Sequence, residues 1–166
     1  MSTLNAQTAN VTANAAIVPA GQGGDIAVFA ADDTDLIVDI NGYFAPPSTS
    51  GLSLHTLVPC RLLDTRTQPG LLTVDGALDV IWGNTCSLPS NAEALVLNVT
   101  VVPLGSLSFL TLWPATQLQP NVSTLNAYDG NVTSNMAIVP TLSRSISTFT
   151  TNSTYLILDV TGYYAP

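Results

Sequence analysis

Along residues 94–102, ALVLNVTVV, apolar and polar side chains alternate. Leu95, Leu97, Val99 and Val101 fall on one face, and Asn98 and Thr100 on the other. A period of two predicts a strand with one buried face. Residues 155–161, YLILDVT, repeat the pattern with Leu156, Leu158 and Val160 on one side, Ile157, Asp159 and Thr161 on the other, and a stop at Gly162. Further strands are predicted over 107–113, ended by Pro114, and over 123–127, 134–140 and 145–150. In 71–82, LLTVDGALDVIW, two short apolar runs flank Asp75-Gly76, the signature of a two-residue hairpin, because glycine tolerates positive φ. No stretch places apolar residues at helical spacing between caps. Many short strands separated by turn signals predict an all-β fold, an antiparallel β-sandwich of Ig-like or jelly-roll-like type.

The chain also repeats itself. Residues 2–19 read STLNAQTANVTANAAIVP and residues 123–140 read STLNAYDGNVTSNMAIVP, identical at 13 of 18 positions. After a one-residue offset, 36–46, LIVDINGYFAP, parallels 156–166, LILDVTGYYAP, so the period is about 120 residues. Residues 1–46 therefore read as the trailing part of one repeat, and 47–166 as a complete one. A Pro/Ser/Gly cluster, PPSTSG at 46–51, links them. A partial β-repeat cannot close its own core. Residues 1–46 are expected to pack on 47–166 or to be completed by another copy.

Composition narrows the function. Only 8% of the 166 residues are charged, with no lysine; the cations are Arg61, Arg66 and Arg144, and the net charge is -8. Such a chain lacks the basic face that nucleic acids or anionic membranes require. Ser, Thr and Asn, 47 residues together, carry the polarity instead. The longest apolar stretch, Ala94 to Leu104, is interrupted by Asn98, Thr100 and Pro103, and no membrane-spanning run is present. The opening MSTLNAQTAN has neither the basic nor the apolar region of a signal peptide, which leaves a cytosolic protein or part of a larger secreted one.

Little in the chain reads as catalytic. Cys60 and Cys86 are the two cysteines, and an even count in a Thr-rich, low-charge chain suggests an extracellular disulfide, with two buried thiols as the alternative. Two cysteines and one histidine do not make a structural zinc site, and no metal or cofactor is expected. His55, the single histidine, has no accompanying nucleophile turn and reads as a surface or packing residue. Asp32, Asp33 and Asp35 resemble a calcium loop, but the matching stretch of the full repeat has no carboxylate, so a solvated hairpin turn is expected. Asp39 and Asp159, equivalent in the two copies, are expected to accept backbone or hydroxyl donors. Asp64, between Arg61 and Arg66 in CRLLDTR, predicts a structural salt-bridge cluster. Trp82 and Trp113, with the tyrosines, are candidates for stacking on a sugar, although core packing explains aromatic residues equally well. Asn-x-Ser/Thr triplets at Asn10, Asn98, Asn121, Asn131 and Asn152 read as strand composition more than as glycan acceptors.

The segments PCRLLDTR (59–66), ALVLNVTVV (94–102), STLNAYDGNVTSNMAIVP (123–140) and LILDVTGYYAP (156–166) together resemble a class of β-rich tandem repeats in large secreted or surface proteins of bacteria. The resemblance covers 52–166 and the matching part of 1–46. It implies an extracellular β-domain with Cys60 and Cys86 paired, and brings no activity. The first copy departs from the pattern by lacking its leading part.

These readings predict a non-enzymatic extracellular structural module. It would join other copies of itself, in tandem or head to tail, in a surface layer, stalk or filament, with residues 1–46 as connector. A positive mean hydropathy, implying surface to be covered by neighbours, supports this. The alternative is a carbohydrate-binding or adhesion module of a secreted bacterial protein, with a polysaccharide as partner.

Overall fold

The computed structural model of the chain describes residues 2–46, 48–68 and 70–166. Its strands are β1 (Ser53–Asp64), β2 (Gly76–Ile81), β3 (Ala94–Pro103), β4 (Leu107–Pro114), β5 (Leu125–Ala127), β6 (Thr133–Pro140), β7 (Ser145–Thr150) and β8 (Thr154–Ala165). A short 3-10 turn, Thr85–Ser87, joins β2 to β3. The strands form two antiparallel four-stranded sheets, ordered β1-β8-β3-β6 and β2-β7-β4-β5. The chain is thus an all-β sandwich.

The pairing runs first with last: β1 with β8, β2 with β7, β3 with β6 and β4 with β5. The two halves are then stitched by β3 with β8 and β4 with β7. A long hairpin folded over on itself has this order, which is the winding of a jelly roll. Among the described residues every ladder, that between β4 and β5 at the fold of the hairpin included, joins a strand of the leading half, β1–β4, to one of the trailing half, β5–β8. No two trailing strands pair with each other.

Alternation places the core between the sheets. Leu95, Leu97, Val99 and Val101 of β3 and Leu156, Leu158 and Val160 of β8 are buried, facing Leu107 and Leu110 of β4, Leu125 of β5 and Ile146 of β7. Thr65 prolongs the β1–β8 pairing beyond the strand end. Its N–H donates to the Leu156 carbonyl (2.9 Å), and its buried hydroxyl accepts from the Leu156 N–H (2.8 Å).

Two expectations need correction, and one strand is unanticipated. The Asp75-Gly76 turn exists, with Asp75 at φ +52° and Gly76 N–H donating to Thr73 O at 2.9 Å, but it does not close a hairpin. Leu72 bridges to Thr154 of the first sheet, whereas β2 pairs with β7 of the second, so the turn carries the chain between layers. Strand β8 does not stop at Gly162. It runs on to Ala165 because a glycine there admits the His55 carbonyl, which would lie 2.8 Å from a Cβ. Strand β1, unannounced by the polarity pattern, is an edge strand with register shifts between Thr56 and Cys60 and between Arg61 and Leu63, and each shift breaks the period of two.

Residues 2–46 contribute no strand. They are exposed except for half-buried Ala13 and Ala15, and they do not pack as a layer on 47–166.

Candidate functional site

Two features of the sandwich gather the chemistry-bearing residues. The first lies where β1 meets β8. Cys60 is joined to Cys86 in a disulfide, with Cα atoms 5.6 Å apart, fastening the edge strand to the turn after β2. Next to it, Arg61 Nη1 is 3.0 Å and Arg66 Nη2 2.7 Å from Asp64 Oδ2, and the Arg66 backbone N–H donates to Asp64 Oδ1 at 3.1 Å. Arg61 also reaches across the ladder. Its Nη2 donates to Asp159 Oδ2 at 3.2 Å and its Nε to Oδ1, a bidentate fork on a carboxylate 98 residues away. Asp159 therefore takes a guanidinium, not the backbone or hydroxyl donors expected of it, and the local sequence around it carries no sign of that partner.

Hydrogen bonds from the Arg66 guanidinium, then its backbone N–H and charge, with Arg61 adding to them, hold the Asp64 carboxyl far below the usual carboxylate range. A carboxylate whose folded-state value is depressed contributes stability that is complete above its unfolded value, near pH 4, and is lost as pH falls through the folded one. Acid unfolding of Asp64→Asn is therefore expected to depend less steeply on pH below about 4 than that of the parent. Denaturant titrations between pH 2 and 6 check this, and identical slopes would remove Asp64 from the account.

The other candidates are dispersed. His55 stacks on Tyr163 (centroids 4.9 Å apart, planes 13° apart), and among the described residues no carboxylate pairs with it. Asp32, Asp33 and Asp35 are exposed in a segment without flanking strands, so no hairpin turn forms there. Among the described residues no group of three His, Cys, Asp or Glu side chains could hold a metal ion. Sugar stacking at Trp82 and Trp113 is corrected by their burial. Trp82 is fully enclosed in the core, Trp113 keeps 8% of its surface and donates its Nε1–H to Gln117 O (3.1 Å), and neither offers an open ring face. Of the triplet asparagines, Asn10, Asn98, Asn121 and Asn131 are exposed. No described helix is long and apolar enough to cross a membrane.

The second feature is the exposed segment 2–46, and it is best read against its counterparts. Leu125, Val139, Ile146, Leu156, Leu158 and Val160 of the full repeat are at most 3% exposed. Their equivalents Leu4, Val18, Ile26, Leu36, Val38 and Ile40 are 44–84% exposed. The segment touches the sandwich at few points. The Ala15 N–H donates to Asn135 Oδ1 of β6 (3.2 Å), the Phe44 ring lies 6.3 Å from that of Tyr164, and Ile17 edges an apolar hollow with Val96, Met136 and Ile138. Apolar side chains gathered on a surface are in general a mark of contact surfaces. Sequence reasoning found the segment through its repeat. Only the structure separates it from the sandwich.

No protein-family model matches this chain, and neither the curated proteins nor the solved structures contain a match to it.

Proposed function

We propose that this protein is a non-enzymatic structural module of a secreted or surface-exposed assembly, built by tandem or head-to-tail association into a layer, stalk or filament. One observation carries the reading: residues 2–46 keep the core-forming side chains of a sandwich yet leave them in solvent. Scarce charge favours it, since charged side chains are what ordinarily hold soluble domains apart. The disulfide favours an oxidising compartment. The likeness to tandem repeats of large bacterial surface proteins points the same way. Residues 2–46 are the connector, and other copies of the module are the partners.

Size-exclusion chromatography with light scattering tests the assembly. The chain is expected to self-associate with rising concentration, and removal of 2–46 to abolish that association while the sandwich stays folded. A monomer at all concentrations overturns the reading.

A further inference from the structure

The winding of the sandwich defines what can cover residues 2–46. By sequence equivalence the segment carries β5-type (4–6), β6-type (12–19), β7-type (26–30, IAVFA against ISTFT at 146–150) and β8-type (36–45) strands, and none of the leading half. In the complete repeat each trailing strand finds its ladders only on β1–β4. The segment thus has no ladder to form within itself, which accounts for its lack of strands.

An intact second copy does not offer the segment its native places. In that copy β8 already lies between β1 and β3, β7 between β2 and β4, β6 on β3 and β5 on β4. Of the leading strands only the outer edges of β1 and β2 stay open, and an outer edge takes one strand, not the set of interleaved ladders a trailing half forms. We infer that the occupant of segment 2–46 is an unpaired leading half-repeat, a polypeptide of the β1–β4 type with a stretch like PCRLLDTR at 59–66, and that the two halves close a second jelly roll. The inference deepens the connector reading and rests on it for the role of the segment.

The segment retains the side chains such a partner needs. Asp39 stands at the position of Asp159, ready for the arginine that Arg61 represents. Tyr43 stands at that of Tyr163, which stacks on His55, and Gly42 at that of Gly162, where the His55 carbonyl comes close. Its core positions also compensate one another. Val38 and Ile40 replace Leu158 and Val160, one methylene lost and one gained on the same face, as a packed interior requires. Val28 replaces Thr148, whose buried hydroxyl has no partner, so the first copy is the better suited of the two to burial there. A segment meant for solvent has no need of these features.

The test grafts residues 51–122 of this chain directly ahead of Ser2, restoring the register of a full repeat before the natural chain. Hydrogen exchange read by mass spectrometry is expected to show residues 26–30 and 36–45 exchanging near the unprotected rate in the natural chain at monomer concentrations. In the extended chain they are expected to slow at least a hundredfold, with Asp39→Ala reversing the slowing over 36–45 at least tenfold. A second variant joins 51–122 to 2–46 alone, so that the segment substitutes for 123–166, and it is expected to fold as one sandwich. Unchanged exchange in 2–46 while 53–165 stay protected overturns the inference, as does failure of both variants to fold. A hundredfold slowing over 26–30 and 36–45 when the natural chain is simply concentrated also overturns it, because an intact copy would then supply the ladders, whereas association through apolar side chains alone forms none. Self-association fails or succeeds separately by light scattering, so the two readings are distinguishable.

Discussion

Leu156→Ala is expected to destabilise the sandwich by about 2–5 kcal/mol, whereas Leu36→Ala, the same substitution at the equivalent position of the first copy, is expected to change stability by less than about 0.5 kcal/mol. Leu156 is completely buried between the sheets, and Leu36 is 57% exposed. Removing the Leu156 side chain forfeits its transfer energy and leaves a cavity that rigid neighbours on β3 and β8 fill only in part. Removing that of Leu36 leaves no cavity. Urea unfolding at concentrations where the chain is monomeric measures both, provided the slope of the transition is unchanged. Equal costs would mean that residues 2–46 are packed in a core in solution. The converse effect is expected in the assembled protein, where Leu36→Ala weakens self-association.

Loss of the disulfide is the second large effect. Replacing Cys60 and Cys86 together by alanine is expected to lower stability by roughly 3.5 kcal/mol, the chain-entropy value for a loop of this length. The separation of the cysteines is 26 residues, and the loop they close holds β2 and the turn before β3. The double variant is needed because a single one leaves a reactive thiol. The loss falls first on β1, an edge strand with ladders to β8 alone, kept in place otherwise by the Arg61–Asp159 fork and Thr65. Amides of residues 53–64 are therefore expected to lose protection before those of β3 and β8. A cost below about 1 kcal/mol, or uniform loss across all strands, would place the stabilisation elsewhere.

How much of this was legible beforehand depended on whether the signal was local. Strand β3 announces itself, and its bounds agree with the expected ones to within a residue, since alternating burial is written every second position; β7 has the expected bounds although it is buried on both faces. Strand β1 carries no such signal, because its two register shifts and its exposed outer half remove the alternation. The Asp75-Gly76 dipeptide states that the chain turns but not which sheet each arm enters. Arg61 and Asp64 are three residues apart and visible as a pair, but Asp159 joins them from 98 residues away through the β1–β8 register. Trp82 and Trp113 could be read as ligand platform or core from composition, and only the closing of the two sheets over them decides for the core.

The sequence by itself determined the all-β class, the faces of the principal strands and the fact that residues 2–46 duplicate the trailing half of the sandwich. These are properties of side-chain order, and both the two-residue period and internal identity are preserved without any knowledge of neighbours. The tertiary structure alone decided the partners. First-with-last winding assigns every trailing strand to a leading one, and so leaves a trailing half by itself with apolar side chains and no ladder. Ladder partners are distant in the chain and held by backbone groups common to all residues, so the choice among them leaves no mark in the local sequence.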